Sequence, residues 1–433
     1  MSTAGRWNRS VVALLITVFC SSAASMAGVT ALGKQIYDIT GRELDLGLLG
    51  LAEFAPGLLL VLVTGAVADR YDRRRVVFVA AVGEAVVTLG LAAYAGSAPT
   101  AAAPIFLLVI ALGIARAFVA PASRALPADI VPADQLSWLV PRFSATWQAA
   151  LIFGPVLGGT LYAVDPTLPF LAMTALLLVA GVSVLFVQVT PIAPVAVPAA
   201  VAVGAELDAA LEAGVEPAMG HGEAAPRTHS SLHEAFEGLR FIRSHPVLLG
   251  AIALDLFAVM FGGAVALLPA IAEDRLGVGA VGLGWLRAAG GIGAGLVTLV
   301  LARRPLAYRV GRTLLTVVAV FGLGTIALGV TRSYVVAFVA MAVLSGADAV
   351  SVFIRATLVP LVTPAEKRGR VLAVENVFIG ASNELGAFES GVAGQVLGPG
   401  SAIVLGGAAT LVVAAAWWVL FPALRDVDEF PSS

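Results

Sequence analysis

Apolar stretches of about twenty residues recur along almost the whole chain, parted by short polar connections. At a rise of about 1.5 Å per residue, each is long enough to cross the roughly 30 Å hydrocarbon core of a bilayer as a helix. The pattern predicts twelve spans, at about 11–37, 46–68, 76–96, 104–126, 138–162, 168–189, 247–271, 280–302, 313–330, 334–356, 371–397 and 401–422. The fourth and fifth are separated by "SRALPADIVPADQLSW", which interrupts the apolar run. Residues 190–245 break the rhythm: they are rich in Ala, Pro and Glu, with no run long enough to span. Near their end, "LHEAFEGLRFIRSHP" brings Leu232, Phe236, Leu239 and Ile242 round at helical spacing. That predicts a short amphipathic helix on the membrane surface or against the bundle. The expected organisation is a six-helix half (1–190), a linker with that helix (191–245), a second half (246–425) and a short tail (426–433).

Composition agrees with a membrane class and excludes a soluble one. Hydrophobic residues make up 59% of 433 and charged residues only 12%, against about 25% charged in soluble domains. The start, "MSTAGRWNRSVVALLITVFC", is apolar beyond signal-peptide length and reads as a first span. With both ends inside, 20 of the 26 Lys and Arg fall on the cytoplasmic side, at loops and helix ends. Lys34, Arg42, Arg275 and Arg332 fall outside, and Arg116 and Arg287 lie within spans. This asymmetry orients the chain by the positive-inside tendency. Trp7, Trp138, Trp417 and Trp418 fall near cytoplasmic helix ends, where interfacial anchors belong.

The halves read as copies. "RALPADIVPAD" (124–134) has a counterpart in "RATLVPLVTPAE" (355–366), "GPVLGG" (154–159) in "GAFESG" (386–391), and "LGLAEFAPG" (49–57) in "LGWLRAAGG" (283–291). Repeats of this kind place a transport site near mid-bilayer between halves that rock against each other. The fold class expected is an all-α membrane protein of twelve transmembrane helices in two pseudo-symmetric six-helix halves.

In the repeat Glu53 aligns with Arg287 and Arg116 with Asp348, opposite charges at matched places. Glu53, Glu84, Asp255, Asp348, Glu375, Glu384 and Glu389 are acids within spans, where a charge needs a cavity or a partner. All four histidines lie in the linker, so none is available to a proton relay within the spans, and no metal site is indicated. Cys20 stands alone. "GVTALGKQ" (28–35) misses a nucleotide-binding loop, because Gln35 replaces Ser or Thr and the stretch is an apolar helix. No catalytic constellation, cofactor motif or nucleic-acid signal is present, so an enzyme or receptor is disfavoured.

The connection after the second span, "GAVADRYDRRR" (65–75), concentrates charge far beyond what orientation requires. It resembles the signature loop Gly-x-x-x-Asp-Arg-x-x-Arg-Arg of the major facilitator superfamily, with Gly65, Asp69, Arg70, Arg73 and Arg74 matching. Asp72 stands where the commoner pattern has glycine, and the second-half loop "ARRPLAYRVGR" has no aspartate. In that family the loop clasps the two halves on the cytoplasmic side, so the resemblance makes Asp69 a latch acceptor. Gly65, one turn earlier, is expected to admit a close helix neighbour. "FGPVLGGTLY" in the fifth span is similar to the family's antiporter pattern. Gly154, Pro155, Gly158 and Gly159 match, and Ala150 stands in place of the first glycine. They suggest a kinked helix with a smooth face on which the halves hinge.

Arg116 resembles the membrane arginine of proton-coupled exporters, with Ala120 where a glycine is expected. "AVADRYDRRRVV", "ALPADIVP" and "GRVLAVENVFIGASNELGA" resemble the branch holding enterobactin-exporter-type and macrolide- or tetracycline-efflux carriers. The resemblance implies an inner-membrane, proton-coupled exporter of a drug or siderophore, working as a monomer without a cofactor. An uptake carrier is the alternative. On this reading Arg116, Asp255, Asp348 and Glu384 line the pathway, with Arg116 pairing with Asp348 or holding a ligand anion and with Glu384 or Asp255 carrying the proton. Glu53, Arg287 and Glu389 are expected to close an outer gate.

Overall fold

The computed structural model describes residues 7–119, 133–188 and 231–431, with a few positions between 120 and 132. Among the described residues all regular structure is helical. The first half comprises α1 (Arg9–Thr40), α2 (Glu43–Arg70), α3 (Arg73–Ala95), α4 (Ala103–Ala117), α5 (Ala133–Val164) and α6 (Leu168–Leu185). A linker helix, α7 (Ser231–Ser244), precedes the second half. That half comprises α8 (Pro246–Phe261), α9 (Gly279–Arg303), α10 (Val310–Val330), α11 (Tyr334–Val362), α12 (Ala365–Leu397) and α13 (Pro399–Leu420). Ten crossings are apolar and long enough to span on composition alone. The other two of the twelve are α4, only 15 residues long, and α12, whose 33 residues carry many charges. Even-numbered crossings bring both chain ends to one face, here the termini face; the opposite one is the far face.

Three expected spans need correction. The fourth helix stops at Ala117 rather than 126, and residues to 126 are described only in part. The seventh is not one helix: α8 ends at Phe261, and a 3-10 turn (Ala264–Leu267), a short α turn (Leu268–Ala270) and a π turn (Ile271–Arg275) complete the crossing. At the break the backbone lies close against α12, where a Cβ on Gly263 would be 2.7 Å from the carbonyl carbon of Gly386. Non-helical backbone at this depth survives because it is buried in protein. The tenth helix runs to Val362, six residues beyond expectation, and this carries Arg355 well inside it.

The linker helix rests on the bundle. A Cβ on Gly238 would stand 2.7 Å from the Arg370 carbonyl of α12, Ile242 is buried, and Arg370 Nη1 pairs with Glu237 at 2.6 Å. Phe236, expected on the buried stripe, is exposed; it lies about 120° round the helix from Ile242. The side chains of Leu232 and His233, and all of His221 and His229, lie outside the described residues.

How the apolar core is divided shows how the halves meet. One buried cluster near the far face unites Ile36 of α1 and Leu49 of α2 with Leu267, Leu283 and Leu286 of the second half. Toward the termini each half keeps its own clusters, around Leu14 and Trp147 in the first and around Leu254 and Leu314 in the second. Among the described residues the halves therefore share an apolar core at the far face and keep separate cores toward the termini.

Candidate functional site

In the first half, Glu53 of α2, Glu84 of α3 and Arg116 of α4 converge. Arg116 Nη1 pairs with Glu53 Oε1, and Arg116 Nε lies 3.6 Å from Glu84 Oε2. Gly113 makes this possible: a Cβ there would strike the Glu53 carbonyl and lie 3.3 Å from Pro56. So α4 closes on α2, and Arg116, one turn later, reaches Glu53. The expected pairing of Arg116 with Asp348 is not formed; the arginine is neutralised within its own half.

Glu384 comes from the other half. Its carboxyl rests on Gly50 of α2, a turn before Glu53, which is near enough to act on it electrostatically. Among the described residues it has no hydrogen bond or ion pair.

In the second half, Arg355 Nη2 pairs with Asp255 Oδ1 at 2.7 Å, both side chains being about 95% buried. Arg355 was expected at a helix end on the termini side; the longer α11 makes it an interior residue instead. Asp348, two turns earlier on α11, is within electrostatic reach of both and has no hydrogen bond or ion pair of its own among the described residues. Asp255 is thus held in a structural pair, while Asp348 is not.

The far face is closed by residues near the ends of expected spans together with acids that those spans left in loops. Lys34 of α1 is buried between Asp38 and Glu273, lying 3.1 Å from Glu273 Oε2. Tyr37 donates its hydroxyl to Asp274, and Tyr162 donates to Asp38 at 2.9 Å. This replaces the expected outer gate of Glu53, Arg287 and Glu389. Glu53 pairs with Arg116, and among the described residues neither Arg287 nor the exposed Glu389 forms an ion pair. The signal was the Lys34/Asp38 spacing of four and the acidic "AEDR" after the seventh span. It was missed because spans ending at 37 and 271 put Asp38, Glu273 and Asp274 in loops, where charge is ordinary.

At the termini face, α2 runs to Arg70, which is exposed, and Arg73 opens α3. Asp72 is the residue that caps α3, accepting from the Arg74 backbone N–H at 3.0 Å. The Asp69 side chain lies outside the described residues. Gly65 does not serve a close approach, since nothing lies within 4 Å of a Cβ placed there. Arg74 grips Asp72 Oδ2 at 2.7 Å and the Val187 carbonyl at 2.9 Å, tying the loop to the end of α6. Its guanidinium holds the Asp72 carboxyl below the usual carboxylate range. A lowered folded-state pKa stabilises above the unfolded value, and that gain is lost as pH falls through the folded value. Asp72→Ala is therefore expected to cost about 1 kcal/mol near neutrality, as lost N-caps do. The difference from wild type should vanish in melting curves taken in acid; a gap that widens in acid would contradict the cap.

On α5, Gly154 and Gly158 face α1, where Cβ atoms would lie 2.7 Å from the Ala23 carbonyl and 2.5 Å from that of Ala27. Pro155 and Gly159 face Gly284 of α9, in the other half. Among the described residues no group of three or more His, Cys, Asp or Glu could hold a metal ion.

Known proteins share this architecture. The chain is similar over its full length to the inward-facing, unoccupied crystal structure of a bacterial homolog of the human lysosomal transporter Spinster, at 15% identity and TM-score 0.68, covering 100% of both chains. The nucleoside transporter NupG superposes with TM-score 0.68 at 15% identity over 95% of this chain and 99% of its own. The human organic anion transporter MFSD10 does so with TM-score 0.57 at 16% identity over 94% and 99%. In sequence, the chain is 26% identical over 157 residues to "Uncharacterized MFS-type transporter YfiS" of Bacillus subtilis (strain 168). That match spans 34% of this chain and only about a third of the relative, 36%. The family model described as Major Facilitator Superfamily matches residues 14–381, so the chain is a multi-pass membrane transporter that belongs to the major facilitator superfamily.

Proposed function

We propose that this chain is a proton-coupled exporter of a small organic molecule, a drug or siderophore, that works by alternating access. On this reading it sits in the inner membrane with both termini cytoplasmic, and the described state is open toward the cytoplasm. The observation that supports it best is Glu384, a carboxyl without an ionic partner that touches α2 across the boundary between halves. Its contact with Gly50 lasts only while the far face is closed. Opening that face exchanges dry contact for water, and a carboxyl's hold on its proton follows its solvation and neighbouring charges. Glu53 and Arg116 beside it are a fixed electrostatic frame against which that proton is gained or lost. Asp348 is the second proton candidate; Arg116 and Asp255 orient and balance rather than carry. The export direction rests on the resemblance of the α2–α3 loop and of α5.

The test is purified protein in liposomes with an internal pH-sensitive dye and an imposed gradient of siderophores or lipophilic antibiotics. Glu384→Gln is expected to abolish substrate-driven proton movement while leaving substrate exchange intact, with Asp348→Asn reducing it less. Substrate flux without proton movement in wild type would sink the coupling.

A further inference from the structure

We infer that Arg287 is a substrate-binding residue, and that the transported molecule carries a carboxylate or phosphate which this guanidinium holds beneath the far-face closure. The inference rests on transport as the activity, but not on proton coupling or direction.

Among the cations described here, Arg116 has Glu53, Arg355 has Asp255, Lys34 has Asp38 and Glu273, and Arg275 at the far-face end donates to the Val330 carbonyl. Arg287 has no such partner. Among the described residues it forms no ion pair or hydrogen bond, and its Nε is fully enclosed without an acceptor. An unpaired ionisable group inside a membrane bundle marks a pathway or a ligand by default.

The direction of the side chain is set by the helix. The lipid-exposed stripe of α9 runs through Val281, Trp285, Leu296 and Leu299. At 100° per residue, Arg287 lies about 160° from Trp285 and points to the bundle interior. Two independent contacts agree. Gly284 and Gly291 of α9 turn toward α5, and Gly290 and Gly293 toward α11, leaving Arg287 between those faces. There its Nη2 lies 3.7 Å from the point a Cβ on Gly33 of α1 would occupy.

Gly33 is the residue before Lys34, so the guanidinium sits immediately under the pair that seals the far face. A side chain at Gly33 would also press on Pro269 at 3.2 Å, so glycine keeps this space open. Arg287 is eight residues into α9, which puts it about 12 Å below the far face. Asp348, 14 residues from the far-face end of α11, lies deeper, and Glu384, against Gly50 seven residues into α2, lies at about the level of Arg287. A molecule entering from the termini side passes Asp348 before its anionic end meets the arginine. The planar guanidinium suits a two-point grip on carboxylate or phosphate, which a lysine would not provide.

The test uses the purified full-length chain without any gradient, so that coupling plays no part. Melting temperature is measured with benzoate, 2,3-dihydroxybenzoate or phenyl phosphate, and with methyl benzoate and tetraphenylphosphonium, all at fixed ionic strength. Without additive, R287Q is expected to melt at or above the wild type, because no partner is lost. The anions should raise the wild-type melting temperature, leave R287Q unmoved and move R287K only at higher concentration; the ester and the cation should do nothing. Because no gradient is present, a failed coupling site leaves this readout untouched, so it and a failed anion site are told apart. The inference is overturned if no anion protects the wild type, if protection persists in R287Q, or if tetraphenylphosphonium alone protects. It also fails if R287Q melts several degrees lower and anions act on both proteins alike, which would make Arg287 structural.

Discussion

Replacing Arg355 with methionine is expected to destabilise the second half by roughly 3–5 kcal/mol, the cost of leaving a buried charge without its partner. Asp255 is 4% exposed and pairs with Arg355 at 2.7 Å. Asp348 lies within electrostatic reach of the same guanidinium. Removing Arg355 leaves two carboxylates facing each other with no counter-charge, and Asp255 Oδ2 already lacks a hydrogen bond. The double replacement of Asp255 by leucine and Arg355 by methionine should recover most of the loss. An apolar pair of similar volume often matches a buried ion pair in stability. Because a chain unfolded within lipid also finds polar partners, the single-variant loss should fall toward the lower end of the range. Unfolding in mixed detergent micelles reads all three proteins; a loss under about 1 kcal/mol for Arg355→Met would show that water already reaches the pair.

The second large effect is conformational. In Gly284→Val the two halves are expected to part at the far face and transport to collapse. A Cβ at Gly284 would lie 2.5 Å from the Pro155 carbonyl oxygen and 3.3 Å from the Gly159 Cα. These are backbone atoms of α5 in the opposite half, so no side-chain rotation relieves the clash. The halves must move apart where Lys34, Tyr37, Glu273 and Asp274 now close the face. Each 1.4 kcal/mol shift in that balance changes the population ratio about tenfold. Cys20 is the sole cysteine, so spin labels can be placed at Arg42 and Arg332 in a Cys20→Ser background. Both positions are exposed at the far face, one in each half. Their separation should lengthen by several ångström in Gly284→Val and stay unchanged in Gly65→Val, where a Cβ meets nothing within 4 Å. An unchanged separation with intact transport would mean that α5 and α9 do not have to stay this close.

Much of the architecture was legible in one dimension. Lipid imposes a simple rule, that a crossing segment must be helical and apolar for about twenty residues, so hydropathy alone located the crossings. The exceptions are informative. Gly262 and Gly263 were read as ordinary positions in a continuous seventh span, yet they break it where the backbone lies on Gly386. Arg355 fell at a helix end because the expected tenth span stopped at 356; only the packing of α8 on α11 shows that Asp255 neutralises it. Among candidate residues, the sequence singled out Arg116, Glu53, Asp348, Glu384 and Arg287 as intramembrane charges, but mispaired them.

Periodicity, charge asymmetry and the α2–α3 loop are local properties, and they sufficed to determine a twelve-helix carrier in two related halves. Which charge meets which is not local. Glu53 and Arg116 are 63 residues apart and Tyr37 and Asp274 are 237 apart, and the first meeting depends on Gly113, which admits the α2 backbone to α4. An ion pair's existence turns on a few ångström of separation and on the exclusion of water, and both are decided only when helices pack. The tertiary structure therefore separated the satisfied pairs at Arg116, Arg355 and Lys34 from the unpaired Glu384, Asp348 and Arg287. The sequence showed each of these only as a charge in a greasy run.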